Sequence, residues 1–318
     1  MTSIRPGKYP FICCYQDIQT NTPRPSSQRA PPRARNVIVE RWVDGEITTP
    51  NGTTMKINAI PDTGASECFI SASLAGSLGL SVDDNPEHIR LASGSYITTP
   101  GTVDVSWKFD LADQSGRWIK ARVLPYSRYD FILGRPFLED TQTLVYHKER
   151  IQTTIVESSK TTVRLNSLHG LRKQYFWGRL NGEKVRALPD SGSEIMVMSL
   201  DYAEKYYTIH VSSKTGHSSS STATEIARSL HRRSPRDREM SMEPNFIIDK
   251  DDYNTSVVFA DGSTAVTVGV VRGVTWKFRD GTSQTCDFYV LRGLLDLVVL
   301  SADFIFGFDI YNRHHRNL

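Results

Sequence analysis

Ala59–Ser71 reads AIPDTGASECFIS and Ala187–Ser199 reads ALPDSGSEIMVMS. The two stretches lie 128 positions apart and overlay without a gap over Lys56–Ser71 and Lys184–Ser199. Lys, Ala, Pro, Asp, Gly and Ser match outright, while Ile57/Val185, Ile60/Leu188, Phe69/Val197 and Ile70/Met198 keep their apolar character. A purely architectural repeat would preserve the apolar positions and let the polar ones drift. Here Asp62 and Asp190, Gly64 and Gly192 do not drift, so the polar centre carries its own requirement.

Two further blocks recur in the same order. LASGSYITTPGTVDVSWKF (91–109) overlays FADGSTAVTVGVVRGVTWKF (259–278) with one insertion, and YDFILGRPFL (129–138) overlays LDLVVLSADFI (295–305). Three ordered blocks indicate a duplicated domain. Each copy reads as mainly β, because its apolar segments are short, β-branched or aromatic, and bounded by Gly, Asp, Ser or Pro. Val103, Val105, Trp107 and Phe109 alternate with polar residues as in a half-buried strand, which makes the two Trp-Lys-Phe tripeptides core anchors. Helical spacing follows the first block in each copy, at SASLAGSLGL and SLDYAEKYY, and a short helix is expected around Phe137–Asp140. The predicted division is 1–35 as a disordered basic, Pro-rich segment, 36–157 as the first domain, and 158–318 as the second, with a disordered insert at about 208–252.

An isolated Asp-Thr-Gly is more often a turn than a site. Each of these, however, follows an apolar strand (KINAIP, KVRALP) and precedes another apolar run (CFIS, IMVMS). That context holds the carboxylate near the interior, where it is costly unless paired or hydrogen-bonded. Equivalent aspartates in a duplicated fold invite a two-fold arrangement that brings them together. Two carboxylates in contact share one proton. The ionised member can then activate a water while the protonated member donates to a carbonyl under attack. Gly64 and Gly192 permit the sharp turn and close backbone approach. Thr63 and Ser191 offer hydroxyls to buried backbone groups across the axis. Ser193 stands where the first copy has Ala65. Its hydroxyl is expected to donate to Asp190, favouring the charged form there and leaving the shared proton on Asp62.

At these residues the chain resembles the retropepsins, the aspartic proteases of retroviruses and long-terminal-repeat retrotransposons. The resemblance rests on the run from Ile60 through Asp-Thr-Gly-Ala and Phe-Ile-Ser to Leu78-Gly-Leu80, and on Tyr129–Leu138, YDFILGRPFL. It implies two retropepsin-like β-barrel domains in tandem, forming an intrachain pseudo-two-fold dimer. It also implies a retrotransposon-derived aspartic endopeptidase with Asp62 and Asp190 as its catalytic pair. By the same resemblance Ser93, Gly94, Ser95 and Asp261, Gly262, Ser263 sit in flap hairpins over a peptide or protein substrate. Family members pair two chains, each giving one Asp, whereas this chain carries both and is expected to be monomeric. The second copy departs from the pattern where Leu300-Ser301 replaces Leu133-Gly134. Two other readings stay open: a non-catalytic binding or scaffold module, and an enzyme in which only the first copy is competent and pairs between chains.

Composition narrows the rest. The net charge is +3, but residues 1–35 carry +5 and residues 212–242 carry +3, leaving −5 on the remainder. The body therefore offers no nucleic-acid footprint. No run of 18 apolar residues suggests a membrane span. No apolar leader is evident, and the four cysteines form no disulfide or zinc pattern, so an intracellular, cytoplasmic setting is expected. Neither a metal nor another cofactor is expected, because no His-Glu-x-x-His or phosphate-loop motif is present.

Overall fold

A computed structural model of the chain describes residues 36–110, 115–158, 162–166, 168–169, 173–211, 245–248 and 255–318. The fold is mainly β. In the first half, β1 (Asn36–Thr48), β2 (Thr54–Asp62), β3 (Phe69–Ser71), β4 (Asp83–Leu91), β5 (Tyr96–Phe109), β6 (Arg117–Leu124) and β7 (Phe131–Gly134) belong to one sheet. The order β5-β6-β3-β7-β2-β1 closes into a barrel because β1 also pairs with β5, Ile47 facing Trp107. β8 (Ile151–Ser158) extends the sheet along the outside of β1. Helix α1 (Ala72–Ser77) begins where the Ser71 hydroxyl accepts from Leu74 N at 3.0 Å, and α2 (Arg135–Asp140) follows β7 with Pro136 in its first turn.

The second half repeats this order of pairing. After β9 (Thr162–Leu165) and β10 (Leu168–His169) come β11 (Phe176–Leu180), β12 (Glu183–Pro189) and β13 (Val197–Ser199), and then α3 (Leu200–Tyr206), capped by Ser199 as α1 is by Ser71. β18 (Gly269–Lys277), β19 (Ser283–Leu291) and β20 (Val298–Leu300) complete the ring β18-β19-β13-β20-β12-β11, closed by β11 against β18. In both halves the strand carrying the aspartate runs parallel to the late apolar strand: Ile60 pairs with Ile132 in β2–β7, and Leu188 with Val299 in β12–β20.

Each barrel is filled around a tryptophan, as the alternating strand predicts. Trp107 and Trp276 are both fully buried. Trp107 stacks on Phe131 at 5.7 Å, and Trp276 stacks on Phe176 at 5.9 Å. Each indole lies against a glycine of the neighbouring strand. A Cβ on Gly45 would meet the Trp107 ring at 2.3 Å, and one on Gly178 would meet the Trp276 ring at 2.3 Å. These glycines are required by close approach, not by φ. The departure at Ser301 has a local explanation. A Cβ on Gly134 would lie 2.1 Å from Glu67 O, whereas Ser301 occupies its position with room for a hydroxyl that accepts from Phe304 N and caps α4 (Ala302–Gly307).

Part of the predicted insert is ordered. Thr208–Val211 (β14) and Asn245–Ile248 (β15) pair in parallel, and β15 joins β18. Their alternating Ile, Val and Phe supply strand propensity that the Ser/Arg-rich sequence around them hides. The expected disorder of 1–35, and of 212–244 and 249–252 within the insert, falls outside the described residues. No helix among the described residues is long and apolar enough to cross a membrane.

Candidate active site

Asp62 ends β2 and Asp190 follows β12, so parallel strands deliver both carboxylates to the junction of the halves. The loops that carry them are tied reciprocally. Thr63 Oγ1 donates to Pro189 O at 2.8 Å and accepts from Ser191 N at 2.9 Å. Ser191 Oγ donates to Pro61 O at 2.7 Å and accepts from Thr63 N at 2.9 Å. Each hydroxyl thus acts as donor and acceptor toward the opposite half, which neither Ala nor Val could do. Within each loop the Gly64 and Gly192 amides donate to Oδ1 of Asp62 and Asp190, at 2.8 and 2.9 Å.

Both aspartates are fully buried, at 0% exposure. Oδ2 of Asp62 meets no N–H or O–H donor among the described residues. The Asp62 carboxyl interacts with that of Asp190 through charge and a side-chain hydrogen bond, and two carboxyls can hydrogen-bond only when one of them carries a proton. Burial first, then the charge of Asp190 and the hydrogen bond to it, hold Asp62 well above the usual carboxylate range, against the opposing pull of the Gly64 and Ala65 amides. Burial and the neighbouring acid thus both favour the protonated form of Asp62. The expected role of Ser193 is not met: its hydroxyl donates to Ile195 O at 2.8 Å. Donor and acceptor lie two positions apart in one turn, so the local turn claims the proton before the carboxylate can.

The raised Asp62 pKa has a sign that stability reveals. Below the ordinary carboxylate pKa both folded and unfolded chains hold this proton, and burial costs nothing extra. Above it the unfolded chain releases the proton first, so stability falls as pH rises toward the folded value. Asn at position 62 keeps an oxygen for Gly64 N and never titrates. The melting temperature of Asp62→Asn minus that of wild type is expected to rise with pH from about 4 upward. A difference independent of pH would show that Asp62 titrates as an ordinary carboxyl.

Gly192 has no room for a side chain. Its Cβ would meet Asn166 Cβ at 2.8 Å, and Oδ2 and Cγ of Asp62 at 2.9 and 3.0 Å. Gly192→Ala must displace the Asp62 carboxyl, and a shift of that order costs about 10²-fold in turnover. Steady-state kinetics on a folded Gly192→Ala protein checks this. Turnover within threefold of wild type would place the carboxyl elsewhere.

The predicted hairpin residues lie in two equivalent turns. Leu91 N donates to Ser95 O and Gly94 N to Leu91 O, and Phe259 N and Gly262 N make the same bonds to Ser263 O and Phe259 O. Gly94 and Gly262 take φ of +87° and +82°. Ser93 bonds Ser95, and Ser263 bonds Asp261, so these polar side chains pair within their own turns. Each turn reaches across the junction: Leu295 N donates to Ala92 O, and Arg128 N donates to Ala260 O.

A segment to which the sequence reading gave no role lies between turns and aspartates. β9 pairs in parallel with β16 (Ser256–Phe259), the strand before the second turn, which also pairs with β17 (Thr264–Val266). β10 pairs antiparallel with β4, the strand before the first turn. Ser66 N donates to Leu168 O at 3.1 Å, and Glu194 N donates to Arg164 O at 3.0 Å. This stretch is unrepeated, so the comparison of copies passes over it.

Residues 43–137 match the family model for aspartyl protease. The matched span holds Asp62, Thr63, Gly64 and the turn at 92–95, and it closes in α2. No curated protein matches the chain. Over the matched span the chain is thus similar to aspartyl proteases, a resemblance consistent with peptide-hydrolase chemistry.

Proposed function

We propose that the chain is an aspartic endopeptidase made of two tandem copies of one acid-protease barrel, with Asp62 and Asp190 as a dyad across their junction. The observation that carries this reading is the reciprocal Thr63–Ser191 bonding directly beneath two buried, interacting carboxyls. The repeated strand pairings and the aspartyl-protease match over 43–137 support it.

In the mechanism that follows, Asp190 takes a proton from a water held between the carboxyls, and the water oxygen attacks the peptide carbonyl carbon. Asp62 gives its proton to the carbonyl oxygen. Collapse of the tetrahedral diol breaks the C–N bond as the nitrogen receives a proton from the dyad. Both acids come from one chain, so the working unit is a monomer. The test is hydrolysis of a peptide library across pH by the wild-type protein beside Asp62→Asn and Asp190→Asn. Hydrolysis that survives in Asp190→Asn would leave the first half acting alone.

A further inference from the structure

We infer that the chain's own connecting strand, β9, Asn166 and β10, lies in the peptide cleft as an intramolecular occupant, and that its side chains display the peptide class the cleft accepts. The inference rests on the endopeptidase reading above. Three independent geometric facts converge on it.

The first is direction. Two hairpins related by a two-fold axis run oppositely, so one extended peptide passing between them must be parallel to one and antiparallel to the other. β9 is parallel to β16 and β10 is antiparallel to β4. The paired residues are themselves equivalent: Leu165 faces Phe259, and Leu168 faces Leu91, the last residue before each turn.

The second is backbone bonding. Ser66 and Glu194 stand four residues after Asp62 and Asp190. Their amides hold Leu168 O and Arg164 O from below while the hairpin strands hold the segment from the side. These contacts are symmetric about Asn166, whose Cβ and the Asp62 carboxyl crowd the same face of Gly192. A segment held at Arg164 and Leu168, with Asn166 beside the loop that carries Asp190, has the placement a peptide needs to be attacked.

The third is side-chain burial in matched pockets. Leu165 is fully buried with Leu188, Val197, Leu291 and Val299 of the second half, closed by Ala92 from the first turn. Leu168 is fully buried with Phe69, Ile89, Leu124 and Ile132 of the first half, closed by Ala260 from the second turn. Each pocket belongs to one barrel and is lidded by the other's turn, as expected of paired subsites. Arg164 adds a charge contact, its guanidinium pairing with Glu194 and reaching Glu40 at 3.3 Å. Asn166 Nδ2 donates to the Tyr129 hydroxyl at 3.1 Å. The class implied is an extended peptide reading Arg-Leu-x-x-Leu. The occupied cleft also accounts for two aspartates with no exposed surface.

A tethered occupant competes at an effective concentration of about 1 mM. Against a cleft that binds such peptides at about 10–100 μM, it raises the apparent KM for outside peptides about 10- to 100-fold and leaves kcat unchanged. The test uses the full chain and a quenched fluorescent peptide containing TVRLNSLH. Leu165→Asp with Leu168→Asp should empty both pockets, and Arg164→Glu should set like charge against Glu194 and Glu40 without touching the core. Both are expected to lower KM about tenfold or more, while Arg164→Lys keeps the wild-type value. Binding of the labelled peptide is measured in parallel by anisotropy, with Asp62→Asn in every chain. It should tighten in Arg164→Glu even if no chain cleaves anything, so cleft occupancy is judged apart from the protease reading. Equal KM and equal binding in wild type and a folded Arg164→Glu would overturn the inference, and the double variant is then not needed.

Discussion

Asp62→Asn and Asp190→Asn are each expected to reduce kcat for peptide hydrolysis by about 10²–10⁴-fold, the range that a positioned acid or base contributes. The geometry predicts a loss of chemistry without a loss of fold. Asn is isosteric with Asp, and its oxygen still accepts from Gly64 N or Gly192 N, the bonds that hold each carboxyl in place. What disappears differs between the two. An amide in place of the Asp62 carboxyl has no proton to give to the carbonyl oxygen. An amide in place of the Asp190 carboxylate cannot receive one from water. Because either failure stops the same step, the two losses should be similar and the double variant little worse than either single one. KM should change little, since on the inference above the peptide is held by backbone amides and apolar pockets and not by these carboxyls. Stopped-time assays with thermal melts on each variant check this, and a folded Asp190→Asn retaining a tenth of wild-type kcat would refute the shared dyad.

Trp276→Ala is expected to cost about 3–5 kcal/mol of stability, as truncation of a buried large aromatic does. The indole stacks on Phe176 and meets Phe304 edge-on at 5.7 Å, so it joins β18, β11 and α4 in one cluster. α4 follows directly on β20, whose Leu300 O accepts from Asp190 N at 3.0 Å. Loss of the ring therefore loosens the strand that positions the aspartate as well as the barrel. Trp276→Phe should cost much less. It leaves part of the ring stack and removes an indole Nε1 that is buried with no hydrogen-bond partner among the described residues, a penalty of about 1–3 kcal/mol in the native protein. Urea unfolding of the three proteins measures this. A Phe variant as unstable as the Ala variant would mean that the indole nitrogen has a partner after all.

The site was legible where its requirements are local and duplicated. Two copies of Pro-Asp-(Thr/Ser)-Gly, each between apolar runs, expose the aspartates because each copy serves as a control for the other. The tryptophan cores were legible for the same reason, through strand alternation around Trp107. Features built from distant, unmatched residues were not. Nothing at Gly45 or Gly178 announces a tryptophan on the neighbouring strand, since the contact joins positions far apart in the chain. Ser193 misled because a hydroxyl beside an aspartate has a second acceptor, Ile195 O, that only the turn geometry reveals. β9 and β10 escaped because short extended segments between domains carry no periodicity, and their pairing depends on both hairpins being in place.

On the proposed reading, the reciprocal bonds between Thr63 and Ser191 also set when the dyad can assemble during the chain's own synthesis. Thr63 leaves the ribosome without Pro189 O or Ser191, because those atoms lie 126 and 128 residues further along the chain. At about 5–20 residues per second, roughly 6–26 seconds separate the synthesis of Asp62 from that of Asp190. The connecting strand is translated within that interval, ahead of Asp190. If the cleft is occupied as inferred above, the peptide nearest the dyad when the two halves dock is already the chain's own.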